Sequence, residues 1–197
     1  MTAPNTPEEI KALKHRITEL ENSAKSYQRI EHLLHAVNQA SLAISDATHP
    51  TEIFETVSKT LKELRITSVI YSIDPNQENL IVNSISLDSR IIKNVEKLLG
   101  FRTIGYSVPI DPVDNFRISI RERKTHFSRS SDDFLLQILP SPLKKLSGKL
   151  AQMINIPGTI NAPLISGDRV VGLLALISDE LVEEDIPLIT SFAHQVA

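Results

Sequence analysis

The stretch Gly158–Ala197, GTINAPLISGDRVVGLLALISDELVEEDIPLITSFAHQVA, decides how the whole chain is read. It divides into strand, tight turn, strand, acidic loop and helix. Thr159 to Ile165 is mostly apolar, with β-branched residues at its ends. Ser166-Gly167-Asp168 is a turn signal, because glycine reaches positive φ without a steric penalty. Val170 to Ile177 is a nearly unbroken apolar run, far too short to span a bilayer but suited to a strand buried on both faces in mid-sheet. Gly172 within it predicts a bulge or the close approach of another backbone. Leu181 to Ala197 then places Ile186, Ile189, Phe192, Ala193 and Val196 at helical spacing. Pro187 fits there only in the first turn.

Upstream of this stretch the chain alternates strand and helix signals. Ile66 to Ile73 and Asn79 to Ile85 are two strands joined by the turn Asp74-Pro75-Asn76. Asp88 to Leu99 is a helix with Ile91, Ile92, Val95, Leu98 and Leu99 on one side, closed by Gly100. Phe101 to Ile110 reads as an edge strand, the place where Pro109 is tolerated. Asn115 to Arg123 is a helix and Thr125 to Ser128 a short strand. Phe134 to Leu139 forms a helical turn, Pro140-Ser141-Pro142 breaks it, and Leu143 to Ile154 is again helical. Strands mixed with helices at both ends imply an α+β layer fold with an antiparallel sheet.

The N-terminal third is helical. Ile10, Leu13, Ile17, Leu20, Ala24 and Tyr27 are spaced three, four, three, four and three, a narrow a/d seam over about three heptads. Such a seam wants a partner helix, which points to a parallel homodimeric coiled coil through Ile10, Leu13, Ile17, Leu20 and Tyr27. The other reading is one amphipathic helix packed on its own domain. The helical pattern continues through Leu33, Val37, Leu42 and Ile44 until Asp46 to Pro50 interrupts it. Thr51 then caps a second helix, Glu52 to Leu64, with Ile53, Phe54, Val57 and Leu61 on one face.

Composition narrows the function classes. Hydrophobic residues are 41% and charged residues 23% of the 197, ordinary for a soluble globular chain. A net charge of −3 predicts no general affinity for nucleic acid. No apolar run approaches the roughly 20 residues of a membrane helix. The N-terminus lacks a secretory signal, so a cytoplasmic location is expected. There is no cysteine, which excludes disulfides, a thiolate nucleophile and cysteine-ligated metal. No phosphate-binding glycine loop, G-x-G-x-x-G, H-E-x-x-H, G-x-S-x-G or EF-hand pattern occurs. No catalytic residue, metal site or cofactor is therefore assigned, and the chain reads as not itself an enzyme.

The C-terminal stretch resembles the last third of a GAF domain, the small-molecule sensing module of signalling proteins. The resemblance is carried by Asn161-Ala162-Pro163-Leu164, the turn at Gly167-Asp168, Val171-Gly172-Leu173-Leu174, and the tail Glu183-Glu184-Asp185 to Ala193-His194-Gln195-Val196-Ala197. It can be followed back through Leu61, Val57, Phe54, Asp46, Ile44 and Leu42 to about His35. That gives a coiled-coil helix over residues 1–34 and a GAF-like domain over 35–197. The resemblance implies a central antiparallel sheet flanked by helices. The helices of the two chain ends would share one face, and a ligand pocket would lie on the other, built from residues 101–155. Two cysteine-dependent GAF subclasses, those that attach a bilin and those that reduce free methionine sulfoxide, are excluded. The N-K-F-D-E signature of cyclic-nucleotide-binding members is missing as well.

For that implied pocket the candidate contacts are Tyr106, Phe116, His126, Phe134, Met153 and Asn161. The aromatics among them could equally be core, and His126 could equally be a surface residue of an edge strand. As a contact, His126 could meet an anion, a flavin or nucleotide edge, or a haem iron. Of the other histidines, His32 and His35 share a helix face without a third metal ligand, and His15, His49 and His194 read as surface or loop residues. Residues 117–150 carry eight cations against three carboxylates, a balance of +5. They form either a lid that draws an anionic ligand or a solvated surface balanced by Asp179, Glu180, Glu183, Glu184 and Asp185. Those carboxylates also suit the start of the last helix, at roughly 0.3–1 kcal/mol each. The helix still has an open apolar face at Ala197, so the chain is expected to be the input part of a longer protein such as a sensor histidine kinase or transcription regulator. The expected partners are a second copy, an unidentified small molecule and a downstream output domain. The alternatives are a ligand-free dimerisation module, its pocket filled by Phe134, Leu135, Leu136, Ile138 and Leu139, and a haem- or flavin-based redox or gas sensor.

Overall fold

The computed structural model of the chain describes residues 6–44, 50–63, 65–129 and 132–197. Helix α1 runs unbroken from Pro7 to Ile44, through the whole seam and beyond it. His49 and the Asp46–Thr48 break lie outside the described residues. By internal contacts the chain forms two compact units, Met1–His35 and Ala36–Ala197. In the first unit the seam residues are exposed, from Ile10 at 44% to Tyr27 at 75%.

In the second unit, α2 (Pro50–Glu63) leads to β1 (Thr67–Ile73), β2 (Asn79–Ile85), α3 (Ser89–Leu99), β3 (Ser107–Pro109), α4 (Asp114–Arg121) and β4 (His126–Arg129). Helices α5 (Asp132–Ile138) and α6 (Ser147–Ile154) follow, then the hairpin β5 (Gly158–Ser166) and β6 (Arg169–Ile177), and last α7 (Ile186–Val196). The strands make one antiparallel sheet in the order β3-β2-β1-β6-β5-β4. This is the α+β architecture with an antiparallel sheet, flanking helices and a long N-terminal helix that the sequence led us to expect.

Strand β6 sits in mid-sheet between β1 and β5, which is why its sequence is apolar on both faces. Gly172 answers to both expectations, close approach and a bulge. A Cβ built there would lie 2.2 Å from the Tyr71 carbonyl oxygen of β1. Leu164 faces Gly172 and Ile165 faces Val170, so Val171, next to Gly172 on β6, is the extra residue of the pairing. Gly167 takes φ +57° at the hairpin turn. Pro187 occupies the first turn of α7, behind a short 3-10 turn over Glu183–Asp185. Asp185 is buried, and its carboxylate accepts from the Val182 N–H at 3.0 Å. Asp88 caps α3 by accepting from Arg90 N–H at 2.8 Å, and Gly100 closes the helix at φ +81°.

One local expectation needs correcting. Phe101–Ile110 is strand only at Ser107–Pro109; Gly105 at φ +83° and the turn before it leave the earlier residues outside the ladder. The break expected at Pro140–Pro142 is present: α5 ends at Ile138, and Leu139 and Pro140 separate it from the next helical segment. Pro142 starts a 3-10 helix, Ser141–Leu146, which runs directly into α6.

Alternation along the central strands divides the sheet into two faces. Ser68, Ile70, Ile160, Leu174 and Leu176 are buried on one, where α2 and α7 pack. Ser58 of α2 lies 2.7 Å from Ser84 and 3.4 Å from Ser68, hydroxyl to hydroxyl. The other face carries Val69, Tyr71, Val82, Leu173 and Ala175 in one apolar cluster with Val108, Phe116 and Ile120. A second cluster, Val95, Leu135, Leu139 and Leu150, joins α3, α5 and α6.

Candidate functional site

Between these two clusters lies a cavity of about 140 Å³. Its floor is the sheet: Val69 and Tyr71 of β1, Val82 and Ile85 of β2, Thr159 and Asn161 of β5, and Ala175 and Ile177 of β6. The register explains the set. Val69 faces Ile85 and Ala175, Tyr71 faces Val82, and Asn161 faces Ala175. Period-two alternation aligns the residues of β1, β5 and β6, and the register shift at Asn83 of β2 brings Val82 and Ile85, three residues apart, to the same face. The roof is helical: Ile92, Val95 and Leu99 of α3, Phe134, Leu135 and Ile138 of α5, and Leu150 and Ile154 of α6. Phe101, Thr103 and Tyr106 close one side. The helices reach the cavity because α3 is strongly amphipathic and because Phe134 and Ile138 each pack against both clusters.

Three of the sequence-derived candidates line this space together: Tyr106, Phe134 and Asn161. The ring of Tyr106 stacks on Phe101 at a centroid distance of 4.5 Å, and its hydroxyl donates to the Ile138 carbonyl at 3.3 Å. Phe116 lies behind the wall. It is 1% exposed and makes edge contacts with Tyr71 at 5.3 Å and Phe134 at 5.8 Å, so it holds two lining rings in place. Met153 packs beside the α3–α5–α6 cluster without lining the cavity. His126 shares the sheet face of its register partner Asn161, yet it is half-buried on the edge strand β4 and is not part of the lining. The residues that sequence reasoning missed come mainly from β1, β2, β6, α3 and α6, with Thr159 of β5. Alternation in Val69/Tyr71 and Ala175/Ile177 was legible, but nothing local said which face would be left unfilled.

Among the described residues, no charged side chain and no histidine lines the cavity. Burial pushes the ionisation of both Tyr71 and Tyr106 upward, so both phenols are neutral near pH 7. The polar side chains in the wall differ in their commitments. The Thr103 hydroxyl donates to Glu96 at 2.9 Å and the Tyr106 hydroxyl to Ile138. Asn161 is 1% exposed, and its Nδ2 has no hydrogen-bond partner. Its backbone carbonyl is held by the Ser119 hydroxyl of α4 at 3.1 Å.

The basic stretch 117–150 does not supply a charged lid to this cavity. Arg121 pairs with Asp111 at 2.9 Å and Arg117 with Asp114 at 2.9 Å. Lys124 lies 3.7 Å from Glu122, and Arg123 donates to the Asp168 carbonyl at 2.9 Å. Lys144, Lys145 and Lys149 are exposed. Arg117, Arg121 and Lys124 thus have local carboxylate partners. The Arg121 and Arg117 guanidiniums hold the Asp111 and Asp114 carboxyls, respectively, below their usual range. Among the described residues, no three histidine or carboxylate side chains gather as a metal site, and no helix is long and apolar enough to cross a membrane.

No family model matches the sequence, and no curated protein matches it significantly. Solved structures do match the fold. The GAF domain of a phosphoenolpyruvate-protein phosphotransferase from Acinetobacter superposes with a TM-score of 0.58 at 10% identity, covering 83% of this chain and 89% of that one. Residues 122 to 287 of a methyl-accepting chemotaxis protein match at TM-score 0.57 and 15% identity, over 82% of this chain and 93% of that one. The free methionine-R-sulfoxide reductase of Neisseria meningitidis, solved with its substrate, matches at 0.59 and 15% identity over 87% of each chain.

Proposed function

We propose that this chain, whose fold is that of GAF domains, is a regulatory input module that senses a small molecule in the cavity between its sheet and α3, α5 and α6. The observation that carries the reading is the cavity itself. It is bounded by two separate apolar clusters, so a bound molecule would tie the α3–α5–α6 layer to the sheet. Its lining is almost wholly apolar, with a few polar side chains among the aromatic and aliphatic ones, the composition of a small-molecule site. Tyr106, Phe134 and Asn161 are the proposed contacts, joined by Tyr71 and Ala175. A regulatory rather than catalytic role is supported by a lining without acid, base or nucleophile pairs. The reductase among the fold neighbours does not alter this, because the chain has no cysteine.

The exposed seam of α1 supports a homodimer through Ile10, Leu13, Ile17, Leu20 and Tyr27. The dimer would deliver the response to an output domain such as a kinase. A second reading, a dimerisation module without a ligand, is favoured by the modest volume, about 140 Å³ against the roughly 300–1,000 Å³ of most ligand pockets. The same volume, and a lining without His126, leave little support for haem or flavin. Native mass spectrometry of gently purified protein separates the two main readings. Dimers carrying a reproducible low-mass adduct are expected. Clean dimers whose melting temperature responds to no small molecule would favour the second reading, and monomers would remove the seam dimer from both.

A further inference from the structure

We infer that the outer face of the α3–α5–α6 layer docks on the surface of a lipid bilayer rich in anionic headgroups. The face is the side of the layer turned away from the sheet, so the inference does not depend on what fills the cavity. Charge is the first observation. Segments 88–103 and 134–156, which form the layer and the turn after α3, hold seven cations against two carboxylates, on a chain whose net charge is −3. Both carboxylates are committed within the layer. Asp88 accepts from the Arg90 N–H at 2.8 Å, and Glu96 accepts from the Thr103 N–H at 2.8 Å and its hydroxyl at 2.9 Å. The Thr103 bonds, and after them Arg102, hold the Glu96 carboxyl below its usual range. Among the described residues, Arg90, Lys93, Lys97, Lys144, Lys145 and Lys149 form no ion pair, in contrast to Arg117, Arg121 and Lys124.

Placement is the second observation. Arg90, Lys93 and Lys97 are exposed and spaced three and four on α3, opposite the stripe of Ile92, Val95 and Leu99 that roofs the cavity. Lys145 and Lys149 are exposed and four apart, opposite Leu150 and Ile154 of the same roof. Helix α6 packs against both α3 and α5, so these cations share one solvent-facing surface. The third observation is apolar. Ile104, in the turn after α3, is 49% exposed, and Leu136 of α5 is 36% exposed. Aliphatic side chains among lysines suit a headgroup boundary, where the lysine stems cover apolar surface and the ammonium groups stay with the phosphates. The mixture favours lipid over other polyanions. Five of the seven cations are lysines, which lack the guanidinium fork that reads base edges. Lysine is also depleted where proteins meet proteins. Phe101 and Tyr106 stack on each other instead of offering a ring to a base.

The test is flotation of the full chain with vesicles at about 0.1 M salt, where charges still act over about 10 Å. One set of vesicles is phosphatidylcholine alone, and the other carries about 30% phosphatidylserine. Binding to the second set only, released by about 0.5 M salt, is expected. Lys145→Gln with Lys149→Gln should weaken it about thirtyfold, near fivefold for each lysine, and Lys93→Gln with Lys97→Gln by as much. Ile104→Ser with Leu136→Ser should weaken it without altering its salt dependence. Lys124→Gln, outside the layer, should leave it unchanged. All are surface substitutions, and circular dichroism verifies that each variant is folded. Equal binding by the native protein and the lysine variants would overturn the inference, as would equal binding to the two vesicle sets. Tighter binding of a double-stranded DNA or RNA oligonucleotide than of the anionic vesicles would overturn it in favour of nucleic acid. If the native protein floats with neither set, the face is merely solvated and the inference falls.

Discussion

Replacing Ala175 by valine tests the cavity at its floor. The volume above it is about 140 Å³. Ala175 is 4% exposed, lies between Val69 and Asn161 on the lined face, and directs its methyl group at that volume. Valine adds two methyl groups, worth about 0.8 kcal/mol each when buried. Fixing the new χ1 returns roughly 0.5 kcal/mol of that, and β-branching suits a strand. The net expectation is a gain of about 1 kcal/mol in the ligand-free protein. With a urea dependence near 2 kcal/mol per M, the unfolding midpoint followed by circular dichroism rises by roughly 0.5 M. The same substitution removes part of the proposed ligand's space, so stabilisation and loss of the low-mass adduct in native mass spectrometry should appear together. A midpoint that falls by 0.5 M or more would mean that the space over Ala175 is already filled, and would refute the argument from the cavity.

Gly172→Ala should act in the opposite direction. Its Cβ would meet the Tyr71 carbonyl at 2.2 Å and Leu164 Cδ1 at 3.2 Å, so backbone must move in mid-sheet. A loss of about 1–3 kcal/mol is expected, and a urea midpoint unchanged within error would contradict the close approach. Asp74 accepts from Glu78 N–H at 2.8 Å, Asn79 N–H at 3.1 Å and Asn79 Nδ2 at 2.9 Å. The Asn79 side chain, then its backbone N–H, are the main causes that hold its carboxyl below the usual range. The native state thus binds this proton more weakly than the unfolded one. The contribution is present in full above the ordinary carboxylate pKa of about 4 and is lost as pH falls through the lower native value. Asp74→Asn should accordingly be destabilising at pH 7 and progressively less so toward pH 3, and a midpoint difference constant over that range would speak against the hydrogen-bonded turn.

Much of the fold was legible because its causes are local. A φ-positive glycine makes the β5–β6 turn, Asp88 and Gly100 bracket α3, and the three-four spacing of α1 needs no tertiary information. The apolar run of β6 announced a central strand, since only there are both faces buried. Where the reading failed, backbone geometry within a few residues was at fault. Gly105 shortened the strand before Pro109.

The site was legible only in part. Tyr106, Phe134 and Asn161 were found, whereas Phe116 and His126 carry residue types as suggestive as theirs and lie elsewhere. The difference is rotation about α4 for Phe116 and position across the sheet for His126, neither of which periodicity contains. What the sequence by itself determined is which segments are helix or strand, which faces are apolar, and that α1 presents a seam. Only the tertiary structure decided that β1 pairs with β6 a hundred residues later, and that the α3–α5–α6 layer stands off the sheet over Ala175. The physical reason is that element type and amphipathicity follow from neighbours along the chain, while a cavity is the mismatch in volume between two packed surfaces and exists only once both are assembled.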